Sequence, residues 1–182
     1  MHAALDDVDR APLTRLIYSV LLGTIEPEMP HGISFRMAHG ICAVMALIPM
    51  LWHRFGLIGT IRAILKVCAH VRIYYALVRG QEIISDGWIR YGRYGPYRVA
   101  RSDCVIGPIW TKPDQRGKGY ATLGLRLALA LCSRRVYVDT WIGNRTSRAC
   151  IEAAGFTLNG VSDTAWSGRE RRLIEGQLNQ HI

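Results

Sequence analysis

The chain has 182 residues, with 23 Lys+Arg against 14 Asp+Glu for a formal charge of +9. With 49% hydrophobic and 20% charged residues it can bury a core, which excludes global disorder and leaves room for one ordinary domain. Five dispersed cysteines without C-x-x-C, and six scattered histidines without H-E-x-x-H, exclude a disulfide scaffold and suggest no metal site; reduced thiols in a cytoplasmic protein are the expectation.

Pro12 to Thr24 (PLTRLIYSVLLGT) carries apolar residues at helical spacing and predicts a helix. Glu26 to Ser34 holds two prolines and a glycine and reads as a loop. Phe35 to Phe55 is apolar and predicts a helix bent near Pro49, followed by a helical stretch over Ile58 to His70. The run Gly40 to Trp52 is thirteen residues long and contains Pro49, too short for a membrane span of about 20 residues. Val71 to Val78 and Glu82 to Ile89 are rich in β-branched and aromatic residues and predict a hairpin turning at Arg79-Gly80-Gln81.

After a loop at Tyr91 to Pro96 and a short extended piece, Asp103 to Thr111 predicts a strand, with Gly107-Pro108 marking a bulge or broken ladder. Helices are expected at Gly119 to Cys132 and Asn144 to Ala154, the latter ending at Gly155, and strands at Val136 to Thr140, Phe156 to Val161 and Glu170 to Gly176. This order predicts an α/β fold around one mixed sheet: a helical N-terminal segment, 1–70, packed on or beside a core, 71–182.

Between residues 30 and 101 the cations exceed the anions by eight, nearly the whole net charge. A basic, apolar stretch suits an anionic membrane surface, a phosphorylated substrate or nucleic acid, or is simply a solvated face; no nucleic-acid motif accompanies it.

The stretch Pro113-Asp114-Gln115-Arg116-Gly117-Lys118-Gly119-Tyr120-Ala121 lies between a predicted strand and helix. Glycines there let backbone approach a ligand, and the first helical turn offers N–H groups and a positive dipole end, a cradle for a diphosphate. It is neither a Walker loop nor a G-x-G-x-x-G fingerprint, because Thr122 takes the third glycine's place. Arg116 to Ala121 resembles the R-x-x-G-x-G/A signature of the GNAT superfamily of acyl-CoA N-acyltransferases. Ile109 to Pro113 looks like that family's fourth strand, and Asn144 to Phe156 resembles its second signature, with a terminal Gly-Phe. The resemblance covers residues 103–161, about a third of the chain.

The resemblance implies a GNAT-like mixed central sheet flanked by helices and an acetyl-CoA or other acyl-CoA cofactor. The amides of Gly117, Lys118, Gly119, Tyr120 and Ala121 would hold the diphosphate, with Arg116 and Lys118 adding charge. Ile109, Trp110 and Thr111 would pair with the pantetheine arm, one N–H steadying the oxyanion. Asn144 and Ser147 would touch the pantetheine, and Arg148 would reach an outer phosphate or lie on a solvated face. It further implies direct attack by an amine that loses its proton to a base: Asp103, heading the fourth strand, or Asp139 in the fifth, with Glu82 and Asp86 weaker candidates. Where many members carry a tyrosine five residues before the final Phe, this chain has Ile151, so Tyr137, water or no dedicated acid must serve the leaving thiolate.

The acceptor would lie against an aromatic, basic hairpin region that includes Tyr74, Tyr75, Trp88, Arg90, Tyr94 and Tyr97, which suits an amino sugar or another cell-envelope precursor. Alternatives from the same residues are O-acylation and a non-catalytic cofactor-binding or membrane-associated module. Residues 35–71 are read as a peripheral contact on the inner face of a membrane, as a cover for the sheet, or as a homodimer interface.

Overall fold

A computed structural model describes residues 15–21, 27–69 and 72–162. Seven strands form one sheet: β1 (Arg15–Val20), β2 (Ser34–Ala38), β3 (Arg72–Arg79), β4 (Glu82–Tyr91), β5 (Cys104–Thr111), β6 (Val136–Trp141) and β7 (Thr157–Ser162). Their spatial order is β2-β3-β4-β5-β6-β1-β7, and among the described residues β5 with β6 is the one parallel pair. The helices are α1 (Ile41–Met45), α2 (Ile48–Cys68), α3 (Tyr120–Leu129) and α4 (Arg145–Ala153). This is the mixed α/β fold that the resemblance implied.

The first seventy residues depart from expectation. Arg15–Val20, expected as helix, is a strand between β6 and β7, antiparallel to both. Leu16, Ile17 and Tyr18 are each at most 1% exposed. A strand covered on both faces shows a continuous apolar run rather than alternation, and such a run does not distinguish strand from helix. Ser34–Ala38, expected as the end of a loop followed by helix from Phe35, pairs in full register with β3, from Ser34 opposite Val78 to Ala38 opposite Tyr74. Among the described residues before 70, two strands thus join the sheet beside the helices.

The bend expected near Pro49 is absent, while the boundary expected between Phe55 and Ile58 is present. Pro49 lies in the first turn of α2, where its missing N–H costs nothing. The helix breaks at Gly56, between the two helical stretches expected from the sequence; its φ of 67° suits glycine, and Thr60 Oγ1 donates to the Gly56 carbonyl across the break at 2.8 Å.

The later elements follow the sequence pattern. β3 and β4 form the expected hairpin, with Gly80 at φ 61° in the turn. Ladder register slips between Gly87 and Ile89, opposite the Gly107-Pro108 pair. The Asn144 side chain caps α4 by accepting the Ser147 N–H at 3.1 Å, and the helix stops before Gly155, φ 94°. The strand expected at Glu170 to Gly176 lies outside the described residues.

Two layers of side chains sandwich the sheet. On one face α3 and α4 cover Tyr75, Ile89, Ile106, Val138 and Phe156. On the other, α1 and α2 cover Tyr74, Ala76, Val78 and Trp88, and the 92–100 segment brings Tyr97 over Val105 and Tyr137.

Candidate active site

Parallel pairing of β5 with β6 lasts three residues, Cys104 to Ile106 opposite Val136 to Val138. At Gly107 the chain turns to φ 139°, Pro108 has no N–H to offer, and the two strands part. Beyond that point β5 keeps its other neighbour: Ile109, Trp110 and Thr111 oppose Gly87, Asp86 and Ser85 of β4. Lys112 N–H donates to Ile84 C=O at 2.8 Å, and Trp110 C=O accepts Ser85 Oγ at 2.8 Å, so the even residues point their backbone groups at β4. Alternation then turns the N–H and C=O groups of Ile109 and Thr111 toward the gap beside β6. The Arg116 Nε bond to Thr111 C=O, 3.3 Å, lies on that side.

The chain next makes a short turn and enters α3. Gly117 and Gly119 have φ of 76° and 78°, and no atom lies within 4 Å of where a Cβ would stand on either. Residues 116–119 are exposed. The first helical acceptor is Gly119 C=O, which takes the Leu123 N–H at 2.9 Å, so the donors of the initial turn stay available. The flanking side chains are drawn sideways: Lys118 Nζ donates to Gln115 Oε1 at 3.2 Å, and Tyr120 OH accepts from Arg79 Nη2 at 3.0 Å. The helix mouth is open, and its donors fit a diphosphate.

On the α2 face a cavity of about 610 Å³ is lined by Met50, His53, Arg54, Glu82, Trp110 and Lys112, among others. Arg54 organises it. Its guanidinium carbon lies 3.5 Å from the Trp110 ring centroid, and its Nε donates to Asp86 Oδ2 at 2.7 Å. Burial pushes the Asp86 carboxyl above its ordinary value, against the opposing pull of Arg54 and a bond to Tyr74. Glu82 holds Lys112. His53 is exposed and has no hydrogen-bond or ionic partner among the described residues.

The remaining expected site residues fall in several places. Asp103 is buried at the start of β5, accepting the Ala100 N–H at 3.1 Å. At about 3.3 Å per strand residue it stands roughly 20 Å from Trp110, at the far end of the strand from the gap. Asp139 follows the last β6 residue paired to β5, and its two oxygens accept from Arg15 Nη1 and Tyr97 OH. Tyr137 is buried against Ile17, Tyr97 and Val105. Asn144 spends its side-chain oxygen on the α4 cap, and Arg148 Nη1 donates to Ile142 C=O at 3.3 Å. Ile151, where a tyrosine was looked for, is 1% exposed and part of the core. Of the hairpin aromatics, Tyr74, Tyr75, Trp88 and Tyr97 are core residues, each at most 6% exposed. Sequence reading passed over His53 and Arg54, whose lone place in an apolar run signals nothing until the helix is laid beside β4.

Residues 59–156 match the family model described as Acetyltransferase (GNAT) family. The chain belongs to the GNAT acetyltransferase family. Solved GNAT structures share its fold. An acetyltransferase from Colwellia psychrerythraea aligns with a TM-score of 0.57 at 17% identity, over 80% of this chain and 53% of that one. A putative acetyltransferase from Novosphingobium aromaticivorans gives 0.52 at 18%, over 82% and 61%. A GCN5-related N-acetyltransferase from Sphaerobacter thermophilus gives 0.55 at 14%, over 88% and 54%. This chain thus spans about half to three-fifths of the length of these relatives. Among curated proteins none matches it. Acetyl-CoA is the acyl donor of the GNAT family, and the open turn at 117–121 beside the parted strands fits it.

Proposed function

We propose that this GNAT chain transfers an acetyl group from acetyl-CoA to the amine of a small acceptor. The observation that carries the reading is the open mouth of α3, set beside backbone donors that β6 leaves unpaired. Acetyl-CoA, when bound, supplies the activated acyl group. The amides of residues 117–121, with Arg116 and Lys118, hold its diphosphate. The N–H groups of Ile109 and Thr111 stand ready to steady oxyanion charge, the kind of preorganised donor that contributes most to acyl transfer. The acceptor amine enters from the α2 face, through the cavity against Trp110, and an amino sugar matches that cavity's size and mixed polar lining.

His53 takes the amine's proton. Of the cavity side chains able to accept one, Glu82 is engaged by Lys112, whereas His53 is unengaged. Thiol release from acetyl-CoA against a panel of amines tests the activity. His53→Ala is expected to lower kcat/KM by about 10²–10⁴ with little change in melting temperature, since general bases contribute on that scale and the residue is exposed. An unchanged kcat/KM removes His53 from the mechanism, and no amine-dependent thiol release removes the reading.

The chain also docks on an anionic bilayer surface near its acceptor cavity. The outward face of α2 exposes Trp52, Leu57, Ile58, Ile61 and Leu65, each 48–67% accessible, while Thr60, Ala63 and Val67 face the sheet. A helix apolar on both sides wants a second apolar partner. Arg62 and Lys66 flank the stripe, and no acid occurs between Glu28 and Glu82, so two copies facing each other here would repel whereas anionic lipid would attract. No helix among the described residues is long and apolar enough to cross a membrane. Flotation with phosphatidylglycerol-containing vesicles, but not with neutral ones, is expected, and an Ile58→Glu/Ile61→Glu variant should stay at the bottom of the gradient. A wild-type protein that fails to float refutes the docking.

A further inference from the structure

Arg72, at the start of β3, and Arg90, near the end of β4, stand directly opposite each other in the ladder. Cross-strand partners share a face, and here it is the α2 face, because the next same-face pair along the ladder is Tyr74 with Trp88. Like charges in this position repel. Neither guanidinium has a carboxylate partner among the described residues, and the Nε of each is buried without an acceptor. Arg90 makes one bond, Nη2 to Gly107 C=O at 3.0 Å.

More positive charge surrounds the pair. Lys66, in the last turn of α2, has its Nζ 5.6 Å from the Trp88 ring centroid. Burial first, then Arg72, Arg62 and Arg90, hold its ammonium below the ordinary value. Arg90 is likewise depressed by burial and then by Arg72, and also by Arg15, with Asp139 and Tyr97 opposing. Among the described residues Asp139 is the carboxylate that acts on Arg90, and Arg15 and Tyr97 already occupy both its oxygens. Lys66, Arg72 and Arg90 thus lie together without a free carboxylate partner among the described residues. Buried donors left without acceptors cost free energy, and like charges add to it, so the arrangement is complete only with an anion that brings several oxygens.

We propose that Arg72, Arg90 and Lys66 form a binding site for a phosphate group. Two forked guanidiniums and a mobile ammonium match the geometry of a phosphate, whose oxygens supply the missing acceptors. The site lies beside Gly107, where β5 leaves β6, and on the α2 face, opposite the helix that holds the diphosphate cradle. Taken together with the acetyl-transfer reading, on which this step alone rests, the phosphate belongs to the acceptor, and the acceptor is a phosphate-bearing amine.

Inorganic phosphate is the probe, read by thermal denaturation of the full chain. At about a hundredfold excess over Kd the wild type is expected to melt about 5–10 °C higher. The rise should persist in Gly119→Glu, which blocks the cradle, and vanish in Arg72→Gln and in Arg90→Gln. In phosphate-free buffer each Gln variant should melt about 1–3 °C above wild type, because a repulsive pair is relieved. Should one of them fail to fold, the other carries the test. A rise that survives both substitutions, one lost in Gly119→Glu alone, or no rise in wild type overturns the site. A coenzyme A titration in the same assay reports on the acetyl-transfer reading separately: a coenzyme A response without a phosphate response defeats this site only, and the reverse defeats only the catalytic reading.

Discussion

Arg54→Met is expected to lower the melting temperature by roughly 6–20 °C at neutral pH. The pair it breaks is nearly dry, with side-chain exposures of 20% for Arg54 and 3% for Asp86. Removing one partner of a buried ion pair costs about 3–5 kcal/mol, because the survivor keeps its desolvation penalty without its counter-charge, and each kcal/mol is worth about 2–4 °C in a chain of this size. The pH dependence follows from the sign of the shift. Burial already raises the Asp86 carboxyl above 3.8 with Arg54 present, and the variant raises it further. An acid whose pKa is raised on folding favours the folded state below its unfolded pKa, and that contribution is lost as pH rises through the folded value. The defect should therefore be smallest in acid, near pH 4, and grow as pH rises. Adding Asp86→Leu should recover most of the loss, since a matched apolar pair replaces a buried ion pair at little cost. A neutral-pH melting temperature within about 2 °C of wild type would show the pair to be solvated.

Gly119→Glu is expected to abolish the stabilisation that coenzyme A gives. A ligand at a hundredfold excess over Kd contributes about 2.7 kcal/mol, a rise of about 5–10 °C in the wild type. Glutamate at residue 119 puts a negative charge and a side chain into the space that both glycines leave open. Gly119→Ala separates blockage from strain. Its Cβ meets nothing within 4 Å, but φ at 78° is a left-handed conformation that costs an L-residue about 1–2 kcal/mol. The alanine variant should thus melt lower yet keep its coenzyme A response, whereas the glutamate variant should lose it. A full response in Gly119→Glu would place the cofactor elsewhere.

The turn at 116–121 could be read in advance because it is local. Its glycines, the strand before it and the helix after it are contiguous, and the conformations they require are those only glycine adopts freely. The hairpin, the two later helices and the Gly107-Pro108 break were legible for the same reason: turn chemistry and periodicity act over a few residues. Arg15–Val20 was not, because LIYSV is apolar enough for a buried helix or a buried strand. Only its neighbours, β6 and β7, more than a hundred residues away, decide between them.

The surroundings of the candidate acids and bases were less legible than the turn, for a related physical reason. A diphosphate is held by backbone amides, which sequence can place through glycine and a helix start. A side chain's chemistry depends on what it faces: Asp103 sits at the end of β5 away from the gap, while His53 lines the cavity because α2 packs over β3 and β4. Composition and short-range order were enough for the fold class, the βα turn and the family. Which strands fill the sheet, which carboxylates are engaged, and how Arg72 comes to oppose Arg90 depended on long-range pairing, whose energy lies in contacts that no window of neighbouring residues contains.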